Sequence, residues 1–359
     1  MVHKKLMQEI VSNFIKHKKI TGTSLTTNTV DSYNRDLIIF LSFLNQTNIT
    51  KFDQIERKDI NNFLKSDIFN KFIKIWKNKH GDEVKKITGI RSDSSKKRFL
   101  YTLSSFFNYL IYKKLIKKNP LPSHKSSNNS EPQSLTLEEI KIIFDYINSK
   151  NFSMDFKYPL RESSIVNTLY YCGLRVSELI NIKMSDIKFN NSNPYILIQG
   201  KGGKFREQPH PSYKILLDYI ENERKIILGS SKSDYLFISN YRRNNVKNKI
   251  KNITRQFIDK RIKEICIKSF EFSFRDKTKR GLDLIVKNRD NRKYKMISPH
   301  MFRHSIATHL VEEGIDLINI KEHLGHSSIS VTSRYLGNFT EKKDILRKYG
   351  PLTGGNSND

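Results

Sequence analysis

One stretch of this chain cannot belong to a packed core. PLPSHKSSNNSEPQ, beginning at Pro120, holds three prolines, several serines and almost no large apolar side chain. Such a segment reads as a linker or hinge, here placed over 121–134. It splits the 359 residues into two parts, in keeping with a length that exceeds one ordinary hydrophobic core. The expected organisation is a helical domain over 1–120, a second domain over 135–349 and a flexible tail over 350–359.

The first part is patterned for helices. In TVDSYNRDLIIFLSFLNQ, the residues Val30, Tyr33, Leu37, Leu41 and Leu44 recur at helical spacing. A second strong helix runs through SSKKRFLYTLSSFFNYLIYKKLI, with Phe99, Leu103, Phe106, Leu110 and Lys114 on one stripe. The aromatics of that stripe are expected to be core rather than a platform for stacking bases. Shorter helices are expected around Lys58–Leu64 and Phe69–Trp76.

Beyond the linker, SLTLEEIKIIFDYI starts with Thr136 and Glu139 spaced as a capping box, the mark of a new helix. PYILIQGKGGKFREQPH then reads as a β-hairpin, with Lys201 between glycines at its tip. From about Pro211 the pattern is helical again. The span Tyr241–His300 interrupts it with 19 Lys+Arg against 6 Asp+Glu. KSFEFSFRDKTKRGLDLIVKNRDNRKYK shows no clean period, and a basic insertion around 255–295 is expected there, contacting DNA or simply solvated.

The chain carries a formal charge of +29. Nucleic acid is the polyanion that such an excess suits, because each neutralised phosphate releases counterions. A coding sequence rich in A and T would also raise lysine, asparagine and isoleucine, so charge alone leaves both readings open. Cys172 and Cys266 are too few for a disulfide framework or a zinc site. No apolar run has the length of a membrane span, and lysines break the N-terminal segment where a signal peptide would be apolar. The expectation is a soluble, cytoplasmic protein that does not engage membranes.

The chemistry concentrates near the C-terminus. SPHMFRHSIATHL contributes His300 and Arg303, three apart and therefore on one helix face, and HLGHSSISVTSRYLG contributes His326 and Tyr335. Pro299 suits the first helical position and Ser298 the N-cap, and a helix N-terminus favours phosphate. CGLRVSELI adds Arg175, which could equally pair with Glu178 three residues on. Attack on a phosphodiester without a metal needs a nucleophile, donors for the charge on the non-bridging oxygens, and a proton for the leaving alkoxide. Arginine forks serve the second task and His or Lys the third, while tyrosine beside cations can be the first. No Walker loop, dinucleotide fingerprint or zinc-finger spacing is present, and no Asp/Glu cluster stands near these histidines to hold magnesium. No cofactor or metal is expected. His304, His309 and His323 read as ordinary hydrogen-bonding residues.

In these segments the chain resembles the tyrosine recombinase (phage integrase, Xer-like) family. GLRVSEL resembles its first arginine box, GKGGKFREQP its lysine hairpin, HMFRHSIATHL its H-x-x-R box, and LGHSSISVTSRY its final histidine-to-tyrosine box. Phe302 stands where leucine is more usual, and His323 where an apolar residue is commoner. The resemblance implies a mainly α fold with a small antiparallel sheet. It also implies two domains, a helical core-binding domain and a mixed α/β catalytic domain, that form a clamp around DNA. It assigns Arg175 and Arg303 to the scissile phosphate and Tyr335 to the attack that leaves a 3′-phosphotyrosyl link. Lys201 would protonate the leaving 5′-oxygen, His300 would assist proton transfer, and His326 would hydrogen-bond a phosphate oxygen. Four protomers would join two duplex recombination sites and exchange strands through a Holliday junction without ATP, with room for accessory or activating proteins. The FTEKKDILRKYG segment would pack on a neighbouring protomer.

Two other readings stay open at this stage. A type IB topoisomerase shares the chemistry, but the core-binding domain and the wording of the motifs speak against it. A non-cleaving DNA-binding protein of the same fold is disfavoured because all six catalytic positions are filled. The biological role is either integration and excision of a mobile element or Xer-type dimer resolution. The extra basic segment tilts toward the first.

Overall fold

The computed structural model describes residues 2–21, 27–77, 82–122, 134–189, 194–200, 203–240, 249–275, 297–326 and 332. The chain divides between Asn128 and Asn129 into two compact units, each described here by itself.

The first unit opens with α1 (Val2–Thr21) and α2 (Thr27–Leu44). There follow α3 (Arg57–Lys65) and the single turn α4 (Asp67–Asn70), then β1 (Lys71–Lys77), β2 (Glu83–Ile90) and α5 (Asp93–Tyr112). The helical stripes read from the sequence are the core. Val30, Tyr33, Leu37 and Leu44 of α2 are buried, as are Phe99, Leu103, Phe106 and Leu110 of α5. Lys114 lies past the end of α5, at φ +57. Phenylalanine edges carry the packing, with Phe40 and Phe63 centroids 5.0 Å apart, Phe63 and Phe69 5.2 Å, and Phe69 and Phe99 5.4 Å. A fully buried Phe of this kind contributes about 2–3 kcal/mol by area. One polar clasp crosses this core. Asp36 of α2 accepts both Arg98 amino groups at 2.7 and 2.9 Å and the Thr102 hydroxyl at 2.9 Å.

The helix expected around Phe69–Trp76 does not form. Only Asp67–Asn70 is helical, and Lys71–Lys77 pairs antiparallel with Glu83–Ile90 from Lys71↔Ile90 to Lys77↔Glu83. FIKIWK and EVKKITGI are rich in the β-branched and aromatic residues that strands favour. With few residues to bury, β-branched and aromatic side chains favour a ribbon over a third helical turn.

The second unit begins with α6 (Leu137–Ile147), α7 (Lys150–Asp155), α8 (Pro159–Tyr171) and the short α9 (Val176–Leu179). The capping box forms as read: the Thr136 N–H donates to Glu139 Oε2 at 2.9 Å and the Glu139 N–H to Thr136 Oγ1 at 3.2 Å. A three-stranded antiparallel sheet follows, β3 (Ile187–Lys188), β4 (Tyr195–Gln199) and β5 (Phe205–Pro209), in that spatial order. The β4–β5 hairpin runs from Tyr195↔Pro209 to Gln199↔Phe205. Next come α10 (Tyr213–Asp218), a π turn (Tyr219–Glu223) and α11 (Arg224–Leu228). The final described helices are α12 (Arg255–Arg275), α13 (Pro299–Glu312) and α14 (Leu317–Leu324).

Helix α8 is the spine of this unit, buried along most of its length from Arg161 to Tyr170. A helix so enclosed must have its first amide groups satisfied inside the protein. Glu223 in the π turn supplies both acceptors, taking the Leu160 N–H at 2.9 Å and the Arg161 N–H at 2.8 Å. The insertion expected around 255–295 is corrected over its first half. Residues Arg255–Arg275 form a core helix whose Ile258, Ile262, Ile265, Cys266 and Phe270 are buried. The lysines and arginines between those positions masked a helical period. Residues 276–296, the rest of that stretch, lie outside the described residues.

Candidate active site

The turn after α8 sets the site. Gly173, at φ +55, turns the chain out of the helix, and a β-carbon there would lie 2.7 Å from Leu324 Cδ2. Glycine is therefore required twice, for its conformation and for the close approach of α14. Two residues on, Arg175 caps α9 and spans back to Glu178. Its N–H donates to Oε2 at 3.0 Å and its Nη1 to Oε1 at 2.7 Å. The pairing that the sequence left as an alternative for Arg175 thus exists. The guanidinium still remains a third exposed.

Glu178 is the hub of the cluster. Arg206 of β5 donates through Nη2 to Oε2 at 3.0 Å, and Arg303 Nη1 stands 3.9 Å from the same oxygen. Burial alone would raise the Glu178 pKa. The hydrogen bond and charge of Arg206, followed by the bond and charge from Arg175, outweigh it and hold the carboxyl below the ordinary glutamate value. One buried carboxylate therefore gathers three guanidiniums and leaves positive charge in surplus, which is what an incoming phosphate needs.

Arg303 projects from α13, whose Pro299 occupies the first turn behind an extended Ser298. Its side chain is almost wholly buried, and its fork donates to Gly173 O and Leu324 O, both at 2.6 Å. A single guanidinium thereby fastens the arginine-box turn to the end of α14. Phe302, the departure beside it, is fully buried. His300, one turn before Arg303, reaches the surface. Partial burial, then the charges of Arg303, Arg255 and Arg175, hold its imidazole below the usual value, so the ring is neutral near pH 7.

Gly325 ends α14 in the left-handed region, at φ +64, and delivers His326. His326 is buried, and its Nδ1 lies 2.9 Å from the Thr332 hydroxyl. Burial, followed by Arg303, Arg175, His304 and Arg206, pushes its pKa down to about 4. The ring is a neutral hydrogen-bonding group. If Thr332 donates to Nδ1, the proton sits on Nε2 and can be given to an anion.

Of the six residues singled out from the sequence, Arg175, His300, Arg303 and His326 come together around Glu178. Lys201 and Tyr335 lie outside the described residues, as does the FTEKKDILRKYG segment. Arg206 was missed, because its role comes from reaching Glu178 across the fold. Gln208 donates to His323 Nδ1 at 2.7 Å. His309 spans Leu135 O and the Tyr170 hydroxyl, both at 3.0 Å. These two histidines are the ordinary hydrogen-bonding residues they were read to be. Cys172 and Cys266 are buried free thiols. Among the described residues no group of His, Cys, Asp and Glu could hold a metal ion, and no helix is long and apolar enough to cross a membrane.

The sequence model described as "Phage integrase family" matches residues 133–342, more than half of the chain, and "Phage integrase, N-terminal SAM-like domain" matches residues 19–68. The chain belongs to the phage integrase family. It is thus a tyrosine recombinase. Among similar proteins, the tyrosine recombinase XerD of Listeria innocua is 28% identical over 354 residues, covering 96% of this chain and 99% of that protein. A tyrosine recombinase of Thermosipho africanus is 28% identical over 347 residues, covering 95% and 98%. In structure, the chain is similar to the XerH site-specific recombinase bound to difH substrate, with a TM-score of 0.64 at 19% identity, covering 97% of this chain and 96% of that one. The Tn1549 transposon integrase in complex with circular intermediate DNA gives 0.56 at 18%, covering 91% and 94%. The mainly helical fold with small antiparallel sheets is that of the two-domain tyrosine recombinases.

Proposed function

We propose that this tyrosine recombinase cuts and rejoins duplex DNA at specific sites through a 3′-phosphotyrosyl intermediate. The observation that carries the reading is the convergence of Arg175, Arg206 and Arg303 on one buried carboxylate, beside two histidines held neutral. Arg175 and Arg303 grip the non-bridging oxygens of the scissile phosphate. Donors of this kind, fixed before charge develops, are worth about 3 kcal/mol each in the transition state. His326 gives a hydrogen bond to the same phosphate. Neutral His300 accepts the proton of the Tyr335 hydroxyl as that oxygen attacks phosphorus, and Lys201 protonates the departing 5′-oxygen. The phosphotyrosyl bond preserves the energy of the broken linkage, so resealing needs no nucleotide hydrolysis.

The first unit acts as the core-binding domain and the second as the catalytic domain, together closing around the duplex. Four protomers bring two sites together and exchange strands in pairs through a Holliday junction. The work takes place in the cytoplasm, on nucleoid DNA. Its role is integration and excision of a mobile element or Xer-type dimer resolution. The test is a nicked duplex carrying a site selected from a random-sequence pool. A covalent protein–DNA adduct supports the reading, and strand cleavage without any adduct overturns it.

A further inference from the structure

The β1–β2 ribbon differs from the rest of the first unit. It lies between the two stretches matched by family models, which end at residue 68 and resume at 133. Among the described residues its strands pair only with each other, which leaves both outer edges without a strand partner there. A lone two-stranded ribbon is marginally stable in water. Phe72, Ile73, Ile87 and Ile90 lie outside the core of the unit. Phe72, Ile73, Ile87 and Ile90 are exposed, Ile73 by 62% and Ile90 by 79%.

The base of the ribbon is nevertheless fixed. The Arg91 N–H donates to Asn70 O at 2.7 Å, its Nε to Phe69 O at 2.8 Å and its Nη2 to Lys71 O at 3.1 Å. Lys71 is paired with Asp67 at 2.8 Å. Beyond Lys71, the sequence of the two strands carries Lys74, Lys77, Lys85 and Lys86 against only Glu83. A β-carbon at Gly89 would stand 2.8 Å from the Phe72 ring, so that ring rests on the bare backbone of the opposite strand.

We propose that this ribbon is a DNA-binding arm that lies along duplex DNA and adds a contact to those of the helices. The proposal rests on the reading that the chain acts on DNA. Strands of seven and eight residues span about 25 Å at 3.3 Å per residue, and the major groove admits a two-stranded ribbon. The lysines suit phosphates on the groove walls, and the exposed isoleucines and Phe72 suit base edges and thymine methyls. The same lysines, spread over both strands, repel a second copy of the ribbon and disfavour strand addition. Charge thus selects a polyanion over a protein partner.

The experiment uses the full chain and a 30-base-pair duplex of generic sequence, with affinity followed by fluorescence anisotropy over a salt series. In one variant Asn70 is joined to Arg91 through two glycines, which the Asn70–Arg91 hydrogen bond allows. In the second, Lys74→Glu, Lys77→Glu, Lys85→Glu and Lys86→Glu keep the ribbon and reverse its charge. Both variants are expected to bind at least tenfold more weakly. The slope of log affinity against log salt should become shallower by roughly one for each phosphate that the variant no longer neutralises. Unchanged affinity and slope in both would overturn the proposal. So would a loss confined to the charge-reversed variant, which is simple repulsion, or a loss of self-association with duplex affinity intact. If the shortened chain does not fold, Lys74→Gln, Lys77→Gln, Lys85→Gln and Lys86→Gln, which remove the charge without reversing it, take its place, and unchanged affinity and slope there overturn the proposal. The unaltered protein is tested alongside for adduct formation on the nicked duplex. Failure there overturns the recombinase reading, whereas failure of the salt series alone overturns only the arm.

Discussion

The guanidinium of Arg206 fills the space that a β-carbon at Gly325 would need, with Nη1 2.8 Å from that point. The strand that follows the lysine hairpin therefore packs onto the turn that delivers His326. The same guanidinium donates to Glu178, so hairpin, arginine box and C-terminal histidine share one contact.

Replacing Gly325 with alanine should disturb all three. A left-handed alanine costs about 1 kcal/mol or more, and Arg206 must also move off Glu178. The expected result is a lower Tm with adduct formation slowed at least tenfold, measured on the nicked duplex. A variant with unchanged rate would show that the contact is incidental.

Glu178→Gln should leave the guanidiniums without their shared counter-charge. Breaking a buried pair typically costs about 3–5 kcal/mol. Arg175 is a third exposed and retains water, so urea unfolding should show a loss of roughly 3 kcal/mol at pH 7, toward the lower end of that range. The pH dependence has a definite sign. Because the folded carboxyl titrates below its ordinary value of 4.5, its contribution is complete above 4.5 and disappears as pH falls through the lower folded value. The gap between parent and variant should therefore shrink below pH 4.5 and stay constant from pH 6 to 8.

Arg303 and Arg175 should respond differently to lysine. Arg303→Lys keeps a charge but cannot fork to Gly173 O and Leu324 O together, so both Tm and cleavage should drop. Arg175→Lys, on a partly exposed side chain, should leave Tm within about 2 °C and lower cleavage by a factor of about 100 or more. Equal loss of stability in the two would refute the distinct roles.

His326 should stay neutral throughout the physiological range. Its pKa, pushed down to about 4, lies below its unfolded value, so it binds its proton less readily when folded. Stability carried by this depression is present above 6.5 and falls as pH drops toward 4. An imidazole NMR titration should show no transition for His326 between pH 5 and 8. Thr332→Val, which removes the hydroxyl at Nδ1, should lower the cleavage rate while duplex affinity is retained.

The fold was legible where one period dominated. The α2 and α5 stripes, the Thr136–Glu139 cap and the β4–β5 hairpin each follow from local pattern. Two elements were obscured by charge. Lysines between the apolar positions of Lys71–Lys77 hid a strand, and those of Arg255–Arg275 hid a core helix. At the site, Arg175, His300, Arg303 and His326 could be picked out because the chemistry needs those residue types. Arg206 could not, because its importance comes from three segments meeting at Glu178 and Gly325. No spacing along the chain encodes that meeting.

The central claim is that Tyr335 is the nucleophile, and a nicked duplex tests it directly by trapping the covalent adduct. The parent protein should form the adduct, and Tyr335→Phe should form none while binding the same duplex with unchanged affinity. An adduct formed by Tyr335→Phe would contradict the account.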